Sequence, residues 1–234
     1  MIDILQNYWQ ALLYSDGYGV TGLAMTLWLL VLSCAIGFCL ALPLAVLRNA
    51  RNPVLWFPVW LYTFIFRGTP LYVQLLLIYS GIYGLDFVHH TAPLADFFRS
   101  GLNCTILSFG LNTGAYTTEI FAGAIKETSH GEVDAGLAMG MSRVTLYRRI
   151  IIPAALRRAL PAYSNEVILM LHATTLAFTA TVPDILKVAN DAYSATYAPF
   201  DCFGIAALIY LCVSFTLIFL FRRTERRYLA FLSP

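Results

Sequence analysis

Four ionisable side chains, Arg67, Glu119, Glu166 and His172, lie within stretches that otherwise carry almost no charge. An ionisable group inside a bilayer costs roughly 2.5–3.5 kcal/mol on insertion scales, so each is a functional candidate before it is a packing residue. A carboxylate facing a water-filled cavity holds an α-ammonium group or a cationic side chain, which makes Glu166 and Glu119 candidates for binding a basic amine. Asn112 and Tyr116 precede Glu119 by seven and three residues, and Asn165 adjoins Glu166 and precedes His172 by seven. At helical periodicity Asn112, Tyr116 and Glu119 share a face, and Asn165 shares one with His172. The competing reading makes the glutamates helix caps or bridges to a neighbouring subunit, and His172 an interhelical hydrogen-bonding residue, with Thr174, Thr175 and Thr179 as donors of the same kind. Arg67 offers a guanidinium to a carboxylate. Its neighbours Gly68 and Pro70 point first to a broken helix, because proline removes a donor and the freed carbonyls can line a cavity.

Other chemistries find no support. No His, Cys, Asp and Glu cluster has metal-ligand spacing, and no G-x-x-x-x-G-K-[ST] phosphate loop is present, so this chain is not expected to hydrolyse ATP. Cys34, Cys39, Cys104, Cys202 and Cys212 show no CxxC pattern and read as small packing residues. The net charge of +2 is modest and does not suggest nucleic acid.

The elements that must position the polar residues are membrane helices. The chain is 59% hydrophobic with a mean hydropathy of +0.69 and only 12% charged residues, against about 25% in soluble domains. A spanning helix needs about 20 apolar residues. Apolar stretches predict an all-α protein of five spans at about 21–47, 57–83, 100–125, 163–183 and 202–221. Twelve of the fifteen Lys and Arg fall at Arg48 and Arg51, at 126–158, and at 222–227, all on one side of that arrangement. The positive-inside rule then puts the N-terminus outside and the C-terminus inside. The first apolar run follows an acidic, aromatic stretch, so it is expected to remain as an anchor. Trp56, Phe57, Trp60, Tyr62, Phe64 and Phe66 read as an interface belt.

One inward segment is unusually long. Between Glu132 and Arg149, Val133, Leu137, Met141, Val144 and Tyr147 recur every three or four residues, which predicts a helix ended by Pro153. Gly140 in its middle costs about 1 kcal/mol relative to Ala, and suits a sharp turn or a close partner. Arg143, Arg148 and Arg149 would face acids on that partner or lipid phosphate; a partnerless interfacial helix has the same periodicity.

The spacing Asp134, Ala135, Gly136, then Gly140, then Ile150-x-Ile152-Pro153 resembles the EAA loop of ABC importer permeases, where a membrane subunit meets its ATPase. Asp134 stands where that family usually has Glu, Gly136 where it has Ala, and Ile152 where it has Leu. Residues 66–75, F-R-G-T-P-L-Y-V-Q-L, resemble a segment of polar amino-acid permeases. So do 115–125, A-Y-T-T-E-I-F-A-G-A-I, and 160–168, L-P-A-Y-S-N-E-V-I. Residues 169–184 are similar to the M-type branch, the permeases of histidine/lysine/arginine/ornithine importers. The resemblance covers nearly the whole chain, residues 1–234, as one permease domain of type I importer fold in the bacterial inner membrane. It implies a sibling permease in a heterodimer, two ATPase subunits holding ATP and Mg, and a periplasmic amino-acid-binding protein. It implies no cofactor in this chain. An ion-coupled secondary transporter would be expected to show inverted repeats, and none is visible. A non-transporting scaffold would need neither intramembrane glutamates nor a helix break.

Overall fold

The computed structural model describes residues 2–229, whose regular elements are helices joined by short connections. Helix α1 (Ile2–Leu13) precedes α2 (Gly22–Arg48), the first long apolar helix. Asn52 opens α3 (Pro53–Gly68) by accepting the Val54 N–H at 3.0 Å. The chain then turns through 104° into α4 (Leu71–Leu76), which continues as a π-helical stretch to Ile82. The second apolar segment is therefore not one straight crossing over 57–83. Short helices α5 (Asp86–His89) and α6 (Ala92–Arg99) lead to α7 (Gly101–Lys126). Next come α8 (His130–Ala138) and α9 (Arg143–Leu146), a π-helical turn at Tyr147–Ile151, and α10 (Ile152–Ala173). A 3-10 stretch, Thr174–Ala180, precedes α11 (Ile185–Thr196) and α12 (Pro199–Tyr228).

By length and apolarity α2 and α12 each suffice to cross a membrane, and the bent α3–α4 pair makes a third candidate. Helices α7 and α10, of 26 and 22 residues, are long enough but dilute their apolar surface with the polar residues of interest. The fourth apolar helix also starts earlier than expected. Pro153 does not end a helix; it sits in the first turn of α10, directly after the π-helical turn at Tyr147–Ile151.

Helices α2 and α7 form the central pair, and glycine decides how close they come. A Cβ on Gly37 would lie 2.5 Å from Thr113 Cγ2 and 3.0 Å from Gly114 N. Only a residue without a side chain permits that approach. Around this seam Leu29, Leu75, Phe109 and Leu171 are fully buried, so α2, α4, α7 and α10 share one core. Toward the other end of α2 the packing is by Ala41, Ala45, Ala122, Ala155 and Ala159 around Phe121. Helix α1 packs Ile4 and Leu12 against Val188, Ala192 and Ile205, leaving Leu5, Trp9 and Leu13 exposed. Asp184 caps α11 by accepting the Lys187 N–H at 2.9 Å and receives the Tyr210 hydroxyl at 3.3 Å. Its burial pushes its carboxyl up to about 6.

Candidate functional site

The segment between α7 and α10 is two helices rather than one. Gly140 adopts φ +76°, the left-handed region that an L side chain disfavours, and closes α8. Ser142 starts α9 by accepting the Thr145 N–H at 3.2 Å. The stripe expected for one continuous helix is thereby split. Gly136 is buried, and a Cβ there would sit 2.6 Å from Leu146 Cδ1 and 3.2 Å from Ile150 Cδ1. Leu146 and Ile151 are buried with it, fastening α8 to the rod that runs into α10. Met139 and Val144, on either side of the turn, are 74% and 77% exposed. Asp134, Ala135, Arg143, Arg148 and Arg149 are exposed, and Pro153 is half-buried. Two apolar side chains flanking a glycine turn, ringed by charge, form a knob that the described chain leaves uncovered.

At its base the knob is tied to the bundle. Arg158 donates to Ala124 O at 3.1 Å and to Thr128 Oγ1 at 2.7 Å, closing the C-terminus of α7. Ser164 on α10 donates to Glu225 Oε1 at 2.8 Å, joining α10 to α12. Both ties start on α10, the continuation of the α9 rod, and run to the end of α7 and to α12.

The polar residues of the helices separate into two groups. In the first, bonds within the subunit are already made. Glu119 accepts from Arg48 Nε at 2.8 Å and from Thr63 Oγ1 at 2.7 Å, which ties together α2, α3 and α7. Arg48 also lies 5.9 Å from the Trp56 ring centre, so Trp56 has a cation partner as well as aromatic ones. Glu166 is only 6% exposed and accepts from Thr113 Oγ1 at 3.0 Å. The close α2–α7 crossing at Gly37 holds Thr113 in place for that bond.

The break at Gly68–Pro70 is also internally satisfied. Gln74 Nε2 donates to Phe66 O at 2.8 Å and Thr69 O at 3.0 Å, and Asn112 Nδ2 donates to Phe66 O at 3.1 Å and Gln74 Oε1 at 3.0 Å. The sequence led to the expectation that these freed carbonyls line a cavity; instead, those of Phe66 and Thr69 are capped by side chains. Asn112 serves this clamp, not a ligand face shared with Glu119. Gln74 was missed in the sequence because its partners are backbone groups up to eight residues away and a side chain on α7.

The second group faces outward. Arg67 is exposed, with its guanidinium carbon 5.3 Å from the Tyr116 ring centre, and Tyr116 donates to Arg67 O at 3.4 Å. Asn165, Leu169 and His172 form an exposed stripe on α10, turned away from Glu166. His172 Nε2 is 3.2 Å from Ser214 Oγ on α12. Thr174, Thr175 and Thr179 each donate to a carbonyl three residues back, and Thr174 also neighbours the Tyr210 hydroxyl of α12. Exposed Asn, His and Arg on membrane helices suit a water-filled or protein-covered face, not lipid.

The chain is similar to known proteins along nearly its whole length. Residues 36–229 match the family model described as binding-protein-dependent transport system inner membrane component. The chain is 62% identical over 234 residues to the histidine/lysine/arginine/ornithine transport system permease protein HisM of Escherichia coli K12, covering 100% of this chain and 98% of that one. It is 42% identical to the octopine transport system permease protein OccM of Rhizobium meliloti, over 88% of this chain and 84% of that one. A crystal structure of an amino acid ABC transporter with histidines superposes with TM-score 0.76 at 31% identity, covering 88% of this chain and 92% of that one. An inward-facing structure of the MetNI methionine ABC transporter shares the fold, with TM-score 0.72 at 18% identity over 87% and 93% of the two chains.

Proposed function

The chain belongs to the family of binding-protein-dependent transport system inner membrane components and is a permease subunit of an amino-acid ABC importer, and on that premise we propose that it carries basic L-amino acids, histidine, arginine, lysine and ornithine, across the inner membrane. ATP hydrolysis belongs to separate subunits. Five crossings, α2, α3–α4, α7, α10 and α12, with the N-terminus outside, give the topology that the basic residues favour. This chain pairs with a sibling permease, two ATPases dock from the inside with ATP and Mg, and a periplasmic binding protein delivers the substrate.

The uncovered knob at Met139, Gly140 and Val144 carries the coupling part of this proposal. Each ATPase would seat on such a knob, with Asp134, Ala135, Gly136, Gly140, Ile150 and Pro153 shaping it. ATP-driven closure would draw the α8–α9 units together, and the rod into α10 would transmit that movement to the pore face. Arg67, Tyr116, Asn165 and His172 are the candidates for lining that face, with Arg67 suited to the substrate carboxylate. Glu166 lies behind them, bonded to Thr113, and would support that face without touching the substrate. Glu119 is already neutralised by Arg48 and serves the scaffold.

Reconstitution tests this reading. Labelled histidine or arginine should enter proteoliposomes only when sibling permease, ATPase, binding protein and ATP are all present. Uptake by this chain alone under an ion gradient would favour a secondary transporter instead.

A further inference from the structure

A cleft of about 590 Å³ lies behind the coupling knob, between the α2–α3 connection, the end of α7 and the α8–α9 unit. Arg51, Lys126 and Arg143 stand on its rim, above a floor that includes Ile125, Leu146 and Ile151. Among the described residues no carboxylate lines it. The three cations are exposed, and neither described ion pair, Arg48–Glu119 or Lys187–Asp191, involves them. Arg48, three residues before Arg51, shows the contrast: its charge is answered within the chain. Arg51 follows the end of α2, and Lys126 is the last residue of α7, so the cleft opens where two membrane helices stop. Unanswered cations over an apolar floor at that level match a phosphate with the first methylenes of an acyl chain beneath it.

We propose that this cleft binds the headgroup of an anionic phospholipid of the inner leaflet, seated between the span ends and the coupling unit. This rests on the inward orientation given above. The lipid supplies the negative charge that the cleft lacks, and it makes coupling respond to the anionic content of the membrane.

The test uses the assembled importer, exchanged into vesicles of equal phosphatidylglycerol and phosphatidylethanolamine, with the retained lipids read by native mass spectrometry. Phosphatidylglycerol should be retained selectively. Each basic residue removed should weaken retention about fivefold, so Arg51→Gln with Lys126→Gln loses on the order of twentyfold. Arg51→Lys should keep it, and Arg222→Gln with Arg223→Gln, at the far end of α12, should not change it. Equal retention by the wild type and the double variant overturns the proposal. So does protection of lipid-free protein by inorganic phosphate as strong as that by phosphatidylglycerol, which would mark a free-anion site. Loss of ATPase co-purification in the double variant with lipid retention intact assigns the cleft to the ATPase and also overturns it. Lipid retention does not depend on which amino acid is carried, so a wrong substrate leaves this result standing. A wrong orientation would appear separately, as labelling of Ser129→Cys from outside intact cells.

Discussion

Replacing Gly140 separates backbone strain from partner contact, because the two effects rank the substitutions differently. With φ at +76°, Ala there costs about 1–2 kcal/mol. Asn and Asp tolerate the left-handed region far better. A Cβ on Gly140 meets nothing within 4 Å inside the chain, so no internal clash adds to that cost. Strain alone would make Gly140→Ala the worst variant and leave Gly140→Asn and Gly140→Asp close to wild type. A partner surface pressed against the turn reverses the order, since the larger side chains collide and Asp adds a charge. The assay is binding-protein-stimulated ATPase activity of the reconstituted importer, with thermal unfolding of each variant as the control. Gly140→Asp should abolish stimulation while its unfolding changes by less than about 0.5 kcal/mol, the range of ordinary surface substitutions. Gly140→Ala should lose stability by the strain and keep part of its stimulation. Full stimulation in Gly140→Asp would refute the partner contact.

Three further outcomes follow from the helices. Gln74→Leu leaves the Thr69 carbonyl without its donor while Asn112 still caps Phe66 O, at about 1–3 kcal/mol for a group left unsatisfied; a lowered unfolding temperature in detergent checks it, and Asn112→Leu, which leaves Gln74 Oε1 without its donor, should also lower it. Arg48→Gln leaves Glu119 without its cation; because the two side chains are 26% and 23% exposed, the cost should fall below the 3–5 kcal/mol typical of fully buried pairs, at about 1–3 kcal/mol. Adding Glu119→Gln should restore most of that loss, read as a double-mutant cycle, and should leave the apparent affinity for histidine unchanged. For Asp184 the folded value of about 6 lies above its ordinary 3.8, so the fold favours the protonated form. Stability should therefore fall as pH rises from about 4 to about 6, by about 3 kcal/mol at the order-of-magnitude level. Asp184→Asn should remove that slope in pH-dependent unfolding.

What could be read from the sequence was whatever depends on near neighbours. Apolar length located the long helices, and the Gly68–Pro70 pair marks a break that any helix would feel. The segment at 126–158 stood out because its charges interrupt apolar runs. Its shape was not legible, since one stripe at Val133, Leu137, Met141, Val144 and Tyr147 fits a single helix as well as two. The left-handed turn at Gly140 and the packing of Gly136 on Leu146 decide between them. Pairings across the fold were hidden for a different reason. Nothing within a window of residues tells Glu119 that Arg48, 71 positions away, is its partner, or that Gln74 and Asn112 will cap a bend. Spacing along one helix put Asn165 and His172 on a common face, but it did not show which way the adjoining Glu166 turns, about 100° round the helix. Glu166 turns in toward Thr113, and the other two turn out. Helices α1 and α11 were missed because each is too short to give a membrane signal.

The most direct measurement is a crosslink from the knob itself. In a cysteine-free background, Met139→Cys should join to the ATPase subunit in the assembled importer, with a yield that changes between nucleotide-free and ATP-bound states. If Met139→Cys instead stays open to soluble thiol reagents at the same rate with and without the ATPase, and forms no such link, nothing is seated on the turn and the account of coupling is wrong.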